Sequence, residues 1–380
     1  MDKHGLRPSL NDVLCPGQEI QLSRKAHQHS VKRRLMLVDE SASRATYSAR
    51  SETKASEVAS SVLSGGSQLI HRPLVQGQIG FVGIGHMGAA MAANLVTAGR
   101  PVIGYVRRAN QMGRLVALGV KPTTDITDLF DCEIVISMLP DDVAVCDVVF
   151  GRADLGSAGL ISGLKPGAVH LSMSTISTAA AAHLATEHAR HGQGYVAAPV
   201  FGNPDAAKAR QLYIVAAGVP ADVERCKPLL DNLGQQTFVI GNDPSHANLL
   251  KLVGNMMSAT ALEVLGEITA LVRKRGLDPK PFVDVLTATM FGGRLHRIYG
   301  DKIVSQSYAP GFVMPLALKD LRLGLIEAKD AGAPMPSVRV VRDRLIAGIE
   351  RGHGDLDWTA LGLIAEEEAG LRVTPPVVLK

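Results

Sequence analysis

The chain has 380 residues, of which 46% are hydrophobic and 20% charged, with a formal net charge of +4. No apolar run approaches the roughly 18 residues that a membrane-spanning helix needs, and no apolar leader indicates secretion, so we expect a cytoplasmic protein without a membrane partner. This length predicts two or three domains with a large core. The cysteines form no C-x-x-C pair, which predicts reduced thiols and no metal site: Cys15, Cys132, Cys146 and Cys226.

The first 76 residues differ in composition from the rest of the chain. They hold eleven Lys/Arg and seven Asp/Glu, which leaves 29 basic and 29 acidic residues in the remainder. The segment has no sustained hydrophobic period, so residues 1–76 are expected to be a basic, disordered extension. The seven acidic residues argue against an organelle transit peptide. No aromatic residues or fold signals support nucleic-acid binding, and a nucleic-acid partner is not expected.

The segment 79–108 predicts a strand, a glycine turn, a helix and a second strand. Its turn has the pattern G-x-G-x-x-G and consists of Gly83, Ile84, Gly85, His86, Met87 and Gly88. In this pattern the first glycine permits the tight turn, the second lets the backbone approach a pyrophosphate, and the third lets the helix pack on the strand. The helix N-terminus also attracts phosphates. The complete βαβ context favours a dinucleotide site over an ordinary tight turn.

The end of the second strand bears on the choice of cofactor. Sites for NAD usually place Asp or Glu there to bind the ribose 2′-hydroxyl. Here the strand Val102–Val106 runs into Arg107 and Arg108, with no acidic residue nearby. Guanidinium groups suit a 2′-phosphate, so NADP is the predicted cofactor and NAD remains possible. The alternative is a pair of solvated arginines on a loop.

Further strands alternate with helices up to about residue 242. The segments read as strands are Glu133–Met138, Ala168–Ser172, Gly194–Ala198, Leu212–Ala217 and Thr237–Ile240. This alternation predicts an α/β fold, a Rossmann-type doubly wound, mostly parallel sheet over residues 77–242. Ligands of such sheets bind beyond the carboxyl ends of the strands, where the loops containing Leu139, Ser174 and Gly202 begin.

Residues 243–373 predict an all-helical C-terminal domain with no strand. Its helices are read at His246–Arg275, Pro281–Thr289, Met314–Ala331, Pro336–Arg351 and Asp357–Ala369. The first helix is long, and Asn248, Lys251, Asn255 and Ser258 share an arc of roughly 80° on it. The rest of its surface is largely apolar, which predicts burial and places this polar stripe in an internal cleft. A narrow solvated face is the alternative.

A partly buried lysine suits a carbonyl–alcohol redox step. Desolvation lowers the pKa of a lysine towards neutrality, so Lys251 could donate a proton as ammonium and accept one as amine. Asn255, one turn later, could hold the substrate oxygen or the lysine itself. The Ser174 loop and the turn at Gly202 and Asn203 offer hydroxyl, amide and backbone N–H groups to a carboxylate, although such loops also serve as ordinary helix caps.

Together these residues resemble the β-hydroxyacid dehydrogenases, a family that includes 3-hydroxyisobutyrate dehydrogenase, tartronate semialdehyde reductase and the glyoxylate/succinic semialdehyde reductases. The resemblance covers about residues 78–372. It rests on ordered motifs: GFVGIGHMG at 80–88, MLPD at 138–141, STIS at 174–177, APVFGNPDAA at 198–207, the K-x-x-x-N of Lys251 and Asn255, and Lys319-Asp320-Leu321.

The resemblance implies an NADP- or NAD-dependent oxidoreductase that acts on a small carboxylate-bearing β-hydroxyacid or aldehyde acid, and that forms homodimers or homotetramers. It implies that Lys251 is the catalytic acid/base and that Asn255 assists it. The implied substrate contacts are Ser174 and Gly202, and the implied cofactor contacts are Leu139, Pro140, Thr175 and Lys319. Lys319 is a predicted cofactor contact only because of the resemblance. Its helix alone would place it on the surface.

Two other functions remain open. Imine reductases are related, but they usually carry Asp or Tyr at the position of Lys251. Some chromatin-associated relatives keep the fold as non-catalytic NADP-binding proteins and have lost this lysine. The presence of Lys251 therefore favours the dehydrogenase over both alternatives.

Overall fold

The computed structural model describes residues 77–152 and 157–371. The expected extension, residues 1–76, lies outside the described residues. The described chain contains these strands: β1 Ile79–Val82, β2 Val102–Tyr105, β3 Lys121–Thr123, β4 Ile134–Ser137, β5 Val169–Ser172, β6 Gly194–Ala197, β7 Val200–Phe201, β8 Leu212–Gly218 and β9 Gly234–Val239.

The strands form a single sheet in the order β3-β2-β1-β4-β5-β6-β8-β7, with β9 paired to β8. The strands β1 to β6 are mutually parallel, whereas β8 is antiparallel to both β6 and β7. The order reverses between β1 and β4, which is the switch point where ligands of such sheets bind. This topology confirms the Rossmann-type fold class.

Thirteen α-helices lie within the described residues. In the first part they are α1 His86–Thr97, α2 Met112–Ala117, α3 Asp142–Phe150, α4 Leu160–Gly163, α5 Thr178–Arg190, α6 Pro204–Lys208 and α7 Pro220–Leu233. After β9 they are α8 Pro244–Lys274, α9 Pro279–Ala288, α10 Arg294–Val304, α11 Met314–Asp330, α12 Pro336–Gly348 and α13 Leu361–Glu368. The described residues after Val239 contain no strand, which confirms the helical C-terminal part.

The helix α8 runs through the core of the C-terminal part. Its Gly266 packs so closely on α13 that a side-chain carbon there would lie 2.7 Å from the Gly362 Cα. By length and composition α8 could also cross a membrane, but core helices of soluble proteins pass the same test. Half of its most apolar window is buried inside the fold, which is the behaviour of a core helix.

Two expectations from the sequence about the fold need correction. The short strands β3 and β7 were not predicted, because two or three extended residues carry no measurable alternation. The helix α10 was also not predicted, and its N-cap residue, Gly293, makes no side-chain capping bond that would mark its start. The apolar face of α8 is not wholly buried: Met257 is 71% exposed and Leu271 63% exposed. Hydrophobicity predicts that a face avoids water, but it does not tell which surface covers that face.

The cysteines agree only in part with the prediction of reduced thiols. Cys132 and Cys226 are free and buried. Cys146, in contrast, is disulfide-bonded, so the prediction is wrong at this position. Cys15 lies outside the described residues. Isolated cysteines with no regular spacing carry no information about pairing, which explains the error.

Candidate active site

The glycine turn between β1 and α1 has the geometry of a dinucleotide cradle. Gly83 has a φ of +90°, and a side-chain carbon there would lie 2.3 Å from the Met138 carbonyl oxygen. A side-chain carbon at Gly88 would lie 2.1 Å from the Gly83 carbonyl oxygen. At Gly85, by contrast, the same carbon would meet no atom within 4 Å. The turn therefore needs glycine at both ends for packing and keeps open space at its centre, which a pyrophosphate fits.

The two arginines follow β2, the neighbour of β1 in the sheet. Tyr105, the last residue of β2, pairs in register with Val82, the last residue of β1. Arg107 and Arg108 are exposed and lie just beyond this shared edge. The described structure therefore leaves both guanidinium groups accessible on the side of the sheet where the glycine turn begins.

The loop after β5 is tied to the loop after β4. The Ser174 Oγ accepts a hydrogen bond from the Leu139 N–H at 2.8 Å and donates to the Ser137 carbonyl oxygen at 3.4 Å. Ser174 is fully buried, so its hydroxyl shapes the segment of Leu139 and Pro140 and does not line the pocket described below. The next residue, Thr175, does line this pocket.

Lys319 joins α11 to the same loop. Its Nζ donates to the Thr175 carbonyl oxygen at 2.5 Å and lies 2.9 Å from the Asp320 Oδ1. The side chain is mostly buried, with 22% exposed, whereas its helix alone had suggested a surface residue. Lys319 thus links the C-terminal helices to the loop after β5.

Lys251 on α8 is buried, lines the pocket described below and is held by a chain of hydrogen bonds. Its Nζ donates to the Asn255 Oδ1 at 2.9 Å, and the Asn255 Nδ2 donates to the Asp320 Oδ2 at 2.5 Å. All three residues are buried, with Lys251 9% exposed. Burial lowers the pKa of Lys251 to about 8, although the charge of Asp320 raises it and that of Lys319 lowers it further. A lysine with this pKa can exchange a proton near neutral pH.

An aromatic ring also positions the lysine. The Lys251 Nζ lies 4.4 Å from the centroid of the Phe201 ring, at cation–π distance. The ring reaches this place because α8 has a glycine facing it: a side-chain carbon at Gly254 would lie 2.4 Å from the Phe201 Cζ. In the sequence Phe201 is only one letter of the motif at 198–207, and its contact with Lys251 comes from the tertiary fold.

These residues face a pocket of about 320 Å³, a size that suits a small ligand. Seven residues predicted from the sequence line it: Met87, Thr175, Gly202, Asn203, Lys251, Asn255 and Ser258. The Asn203 Oδ1 also accepts from the Ala206 N–H and caps α6, so this turn has both of the roles considered for it. Asn248, the first residue of the polar stripe, is buried but does not line the pocket.

The remaining predicted cofactor residues do not line this pocket. All except Lys319 follow β1, β2 or β4, at the carboxyl edge of the sheet. Lys319 contacts the pocket residue Thr175 through the carbonyl oxygen of that residue. Sequence reasoning missed several pocket residues, because they come from elements distant in the chain: Gln211, Tyr213, Arg294, Tyr299, Lys302, Phe312, Asp357 and Trp358.

Comparison with known protein families gives two adjacent matches. Residues 78–241 match the NAD binding domain of 6-phosphogluconate dehydrogenase. Residues 245–363 match the family described as NAD-binding of NADP-dependent 3-hydroxyisobutyrate dehydrogenase. The first match contains the glycine turn, and the second contains Lys251, Asn255 and Lys319.

The alignments with individual relatives cover nearly the whole length of each relative. The chain is 38% identical to the oxidoreductase YfjR of Bacillus subtilis over 286 residues, which are 75% of this chain and 98% of the relative. It is 29% identical to 2-hydroxy-3-oxopropionate reductase of Escherichia coli, over 75% of this chain and 95% of the relative. The structure of 3-hydroxyisobutyrate dehydrogenase of Mycobacterium tuberculosis with L-serine matches with a TM-score of 0.67 and 26% identity, over 76% of this chain and 98% of that one.

Proposed function

Because this chain belongs to the β-hydroxyacid dehydrogenase family, and is therefore an oxidoreductase that uses NADP or NAD, we propose that it interconverts a small β-hydroxyacid and the corresponding aldehyde acid with Lys251 as general acid/base. The nicotinamide, when bound, supplies or accepts the hydride at the substrate carbon. The open space at Gly85, in the centre of the glycine turn, fits the pyrophosphate of the dinucleotide. We further propose a cytoplasmic enzyme.

The observation that carries this proposal is the environment of Lys251. The Nζ is buried, faces the pocket and has a pKa lowered to about 8. In the reductive direction the Lys251 ammonium donates a proton to the carbonyl oxygen as the hydride arrives at carbon. In the oxidative direction the Lys251 amine accepts the hydroxyl proton. Asn255 orients the lysine through its Oδ1 and in turn is held by Asp320.

Gly202 and Asn203 are the proposed contacts of the substrate carboxylate. They line the same pocket as Lys251, and the Gly202 φ of +142° suits a turn that exposes backbone groups. Ser174 was predicted to share this role. To donate to a substrate carboxylate its hydroxyl would have to leave the Ser137 carbonyl oxygen, and the side chain is fully buried and does not line the pocket, so we assign Ser174 chiefly to the shape of the cofactor loop.

NADPH is the proposed preferred cofactor. Arg107 and Arg108 are exposed just beyond β2 and no carboxylate occupies the tip of that strand, which supports recognition of a 2′-phosphate. The other proposed cofactor contacts are the six residues of the glycine turn with Leu139, Pro140, Thr175 and Lys319.

A homo-oligomer is the proposed assembly. The apolar face of α8 leaves large side chains exposed, and neighbouring α9 adds more: Leu249, Leu250, Val253, Met257, Val264, Leu271, Phe282 and Val285. Exposed apolar residues that cluster on two neighbouring helices, rather than being scattered singly, are typical of an interface. A second copy of this chain can cover it. Met257→Glu would then shift the mass measured by light scattering towards that of a monomer.

The test is NADPH and NADH oxidation with a panel of carbonyl compounds: glyoxylate, succinic semialdehyde, tartronate semialdehyde, methylmalonate semialdehyde and 1-pyrroline. We expect turnover of at least one aldehyde acid and a lower KM for NADPH than for NADH. Turnover of 1-pyrroline alone would contradict the proposal and favour an imine reductase. Equal KM values for the two cofactors would contradict the assignment of Arg107 and Arg108.

A further inference from the structure

The positive charge of Arg294 in the pocket is not explained by the residues around it. Arg294 is the first residue of α10, is exposed and lines the same pocket as Lys251. Its Nη2 lies 3.4 Å from the Gln211 Oε1, and its guanidinium carbon lies 5.7 Å from the centroid of the Tyr213 ring. No carboxylate among the described residues forms an ion pair with it.

The other charged groups of the pocket have partners. The Lys302 Nζ lies 3.7 Å from the Asp357 Oδ2, and this carboxylate oxygen also accepts from the Phe312 N–H at 3.0 Å. Lys251 is bonded to Asn255 and can lose its proton near neutral pH. Arg294 is therefore the permanent, uncompensated charge among the described residues that line the pocket.

Stability does not account for a cation at this position. Arg294 occupies the first turn of α10, where the partial positive charge of the helix disfavours a cation. Among the described residues the guanidinium contacts only the Gln211 Oε1 and the Tyr213 ring, which leaves its other N–H groups available to a ligand. A fork of donors of this kind matches a carboxylate or a similar planar or tetrahedral anion.

We propose that Arg294, with Gln211 and Tyr213 supporting it, binds the carboxylate or comparable anion of substrates in which that group lies several bonds from the reacting carbonyl, as in succinic semialdehyde, whereas Gly202 and Asn203 contact a carboxylate close to the carbonyl. Lys251 and Arg294 line the same pocket, the first buried and the second exposed, so one small molecule that fills the pocket meets both. This inference rests on the proposed oxidoreductase function and specifies its substrate class: aldehydes with a remote carboxylate or comparable anion are preferred to neutral aldehydes of equal length.

The test compares succinic semialdehyde with its methyl ester, which differs mainly in the remote charge. Arg294→Gln should raise the KM for succinic semialdehyde about 10- to 100-fold, since it removes a charge-assisted bond, and should leave kcat and the methyl ester nearly unchanged. Arg294→Lys should give an intermediate KM, because a point charge remains without the fork. Arg297→Gln removes an exposed charge on the same helix outside the pocket and should change neither substrate.

Two results would overturn this inference while leaving the oxidoreductase function intact. One is a wild-type enzyme that reduces succinic semialdehyde no better than its methyl ester. The other is an equal loss with both substrates in Arg294→Gln. Failure of the proposed function itself would look different, because no aldehyde acid of the panel would then be reduced by the wild type.

Discussion

Asn255 follows Lys251 by one helical turn, and its Oδ1 accepts a hydrogen bond from the Lys251 Nζ at 2.9 Å. The amide is also held from its other end, because its Nδ2 donates to the buried Asp320 carboxylate. Rotation of the amide would break both bonds inside the protein, where unpaired polar groups are costly. Lys251 is therefore fixed through one N–H group, and its remaining N–H groups can face the pocket.

The pH dependence of turnover follows from the pKa of Lys251, about 8. Reduction needs the ammonium form, so its kcat/KM should be constant below pH 8 and should fall tenfold per pH unit above it. Oxidation needs the amine, so its kcat/KM should rise up to pH 8 and then level off. Initial rates measured in both directions from pH 6 to 10 test this. Profiles of the same shape in both directions would contradict it.

The neighbouring charges should move that inflection in opposite directions. Asp320 raises the pKa of Lys251, and Lys319 lowers it. Asp320→Asn is therefore expected to shift the inflection of kcat/KM to lower pH, and Lys319→Gln to shift it to higher pH. Lys329→Gln, an exposed charge on the same helix α11, is the control and should leave the inflection in place. Shifts in the same direction for both variants would refute this electrostatic account.

Substitutions in the glycine turn should separate an effect on stability from an effect on cofactor binding. A side-chain carbon at Gly88 would lie 2.1 Å from the Gly83 carbonyl oxygen, so Gly88→Ala should lower the Tm by several degrees. At Gly85 the same carbon meets nothing within 4 Å, so Gly85→Ala should keep the Tm and weaken NADPH binding at least about tenfold, because it fills the space left for pyrophosphate.

Gly113→Ala is the matched control for the glycine turn. Its added carbon is also unobstructed, but it lies on α2 away from the turn. Thermal unfolding and NADPH fluorescence titrations measure the two effects. If Gly85→Ala binds NADPH as tightly as Gly113→Ala does, the turn is not the pyrophosphate site.

A buried histidine pair should make stability depend on pH. The His170 Nδ1 lies 3.0 Å from the His188 Nε2, and the His188 Nδ1 lies 2.8 Å from the Gln193 Oε1. Burial lowers the pKa of His188 to about 4 and that of His170 well below its usual value. The unfolded chain takes up protons near pH 6.5 while the folded chain does not, so stability is complete above that pH and is lost as the pH falls towards 4.

For His188 the loss in the free energy of unfolding between pH 7.5 and 5 amounts to about 2 kcal/mol. Urea unfolding at pH 7.5, 6 and 5 measures it. His188→Gln should reduce the fall between pH 7.5 and 5, whereas His86→Gln, at an exposed position in the glycine turn, should not. An unchanged fall in His188→Gln would show that other groups cause it.

Local patterns explain what could be predicted from the sequence. The glycine turn, the strands of the sheet and the stripe with Lys251 and Asn255 depend on spacing within one short segment, and the structure contains each of them. The Asp320 and Phe201 contacts with this stripe join segments that lie far apart in the chain, so no local period reveals them. The same reason hid Arg294, which reaches the pocket only because α10 packs there.

The sequence indicated which segments are buried, but not which way each side chain points or which surface covers it. Ser174 was correctly placed in the loop after β5, but its hydroxyl is turned to the Leu139 N–H and away from the pocket. The apolar face of α8 was recognised from its residues, yet Met257 and Leu271 on that face are exposed. Hydrophobic residues indicate that a face is buried against another surface, but the sequence does not show whether that surface belongs to the same chain or to a partner.

The most direct test of the central claim is the kcat of Lys251→Ala with the best aldehyde acid of the panel, measured together with the Kd for NADPH. Loss of a general acid typically costs about 10²- to 10⁴-fold, so we predict a fall of that size in kcat with the Kd for NADPH unchanged. A Lys251→Ala enzyme that keeps its kcat within a few fold of the wild type would contradict the role of the lysine.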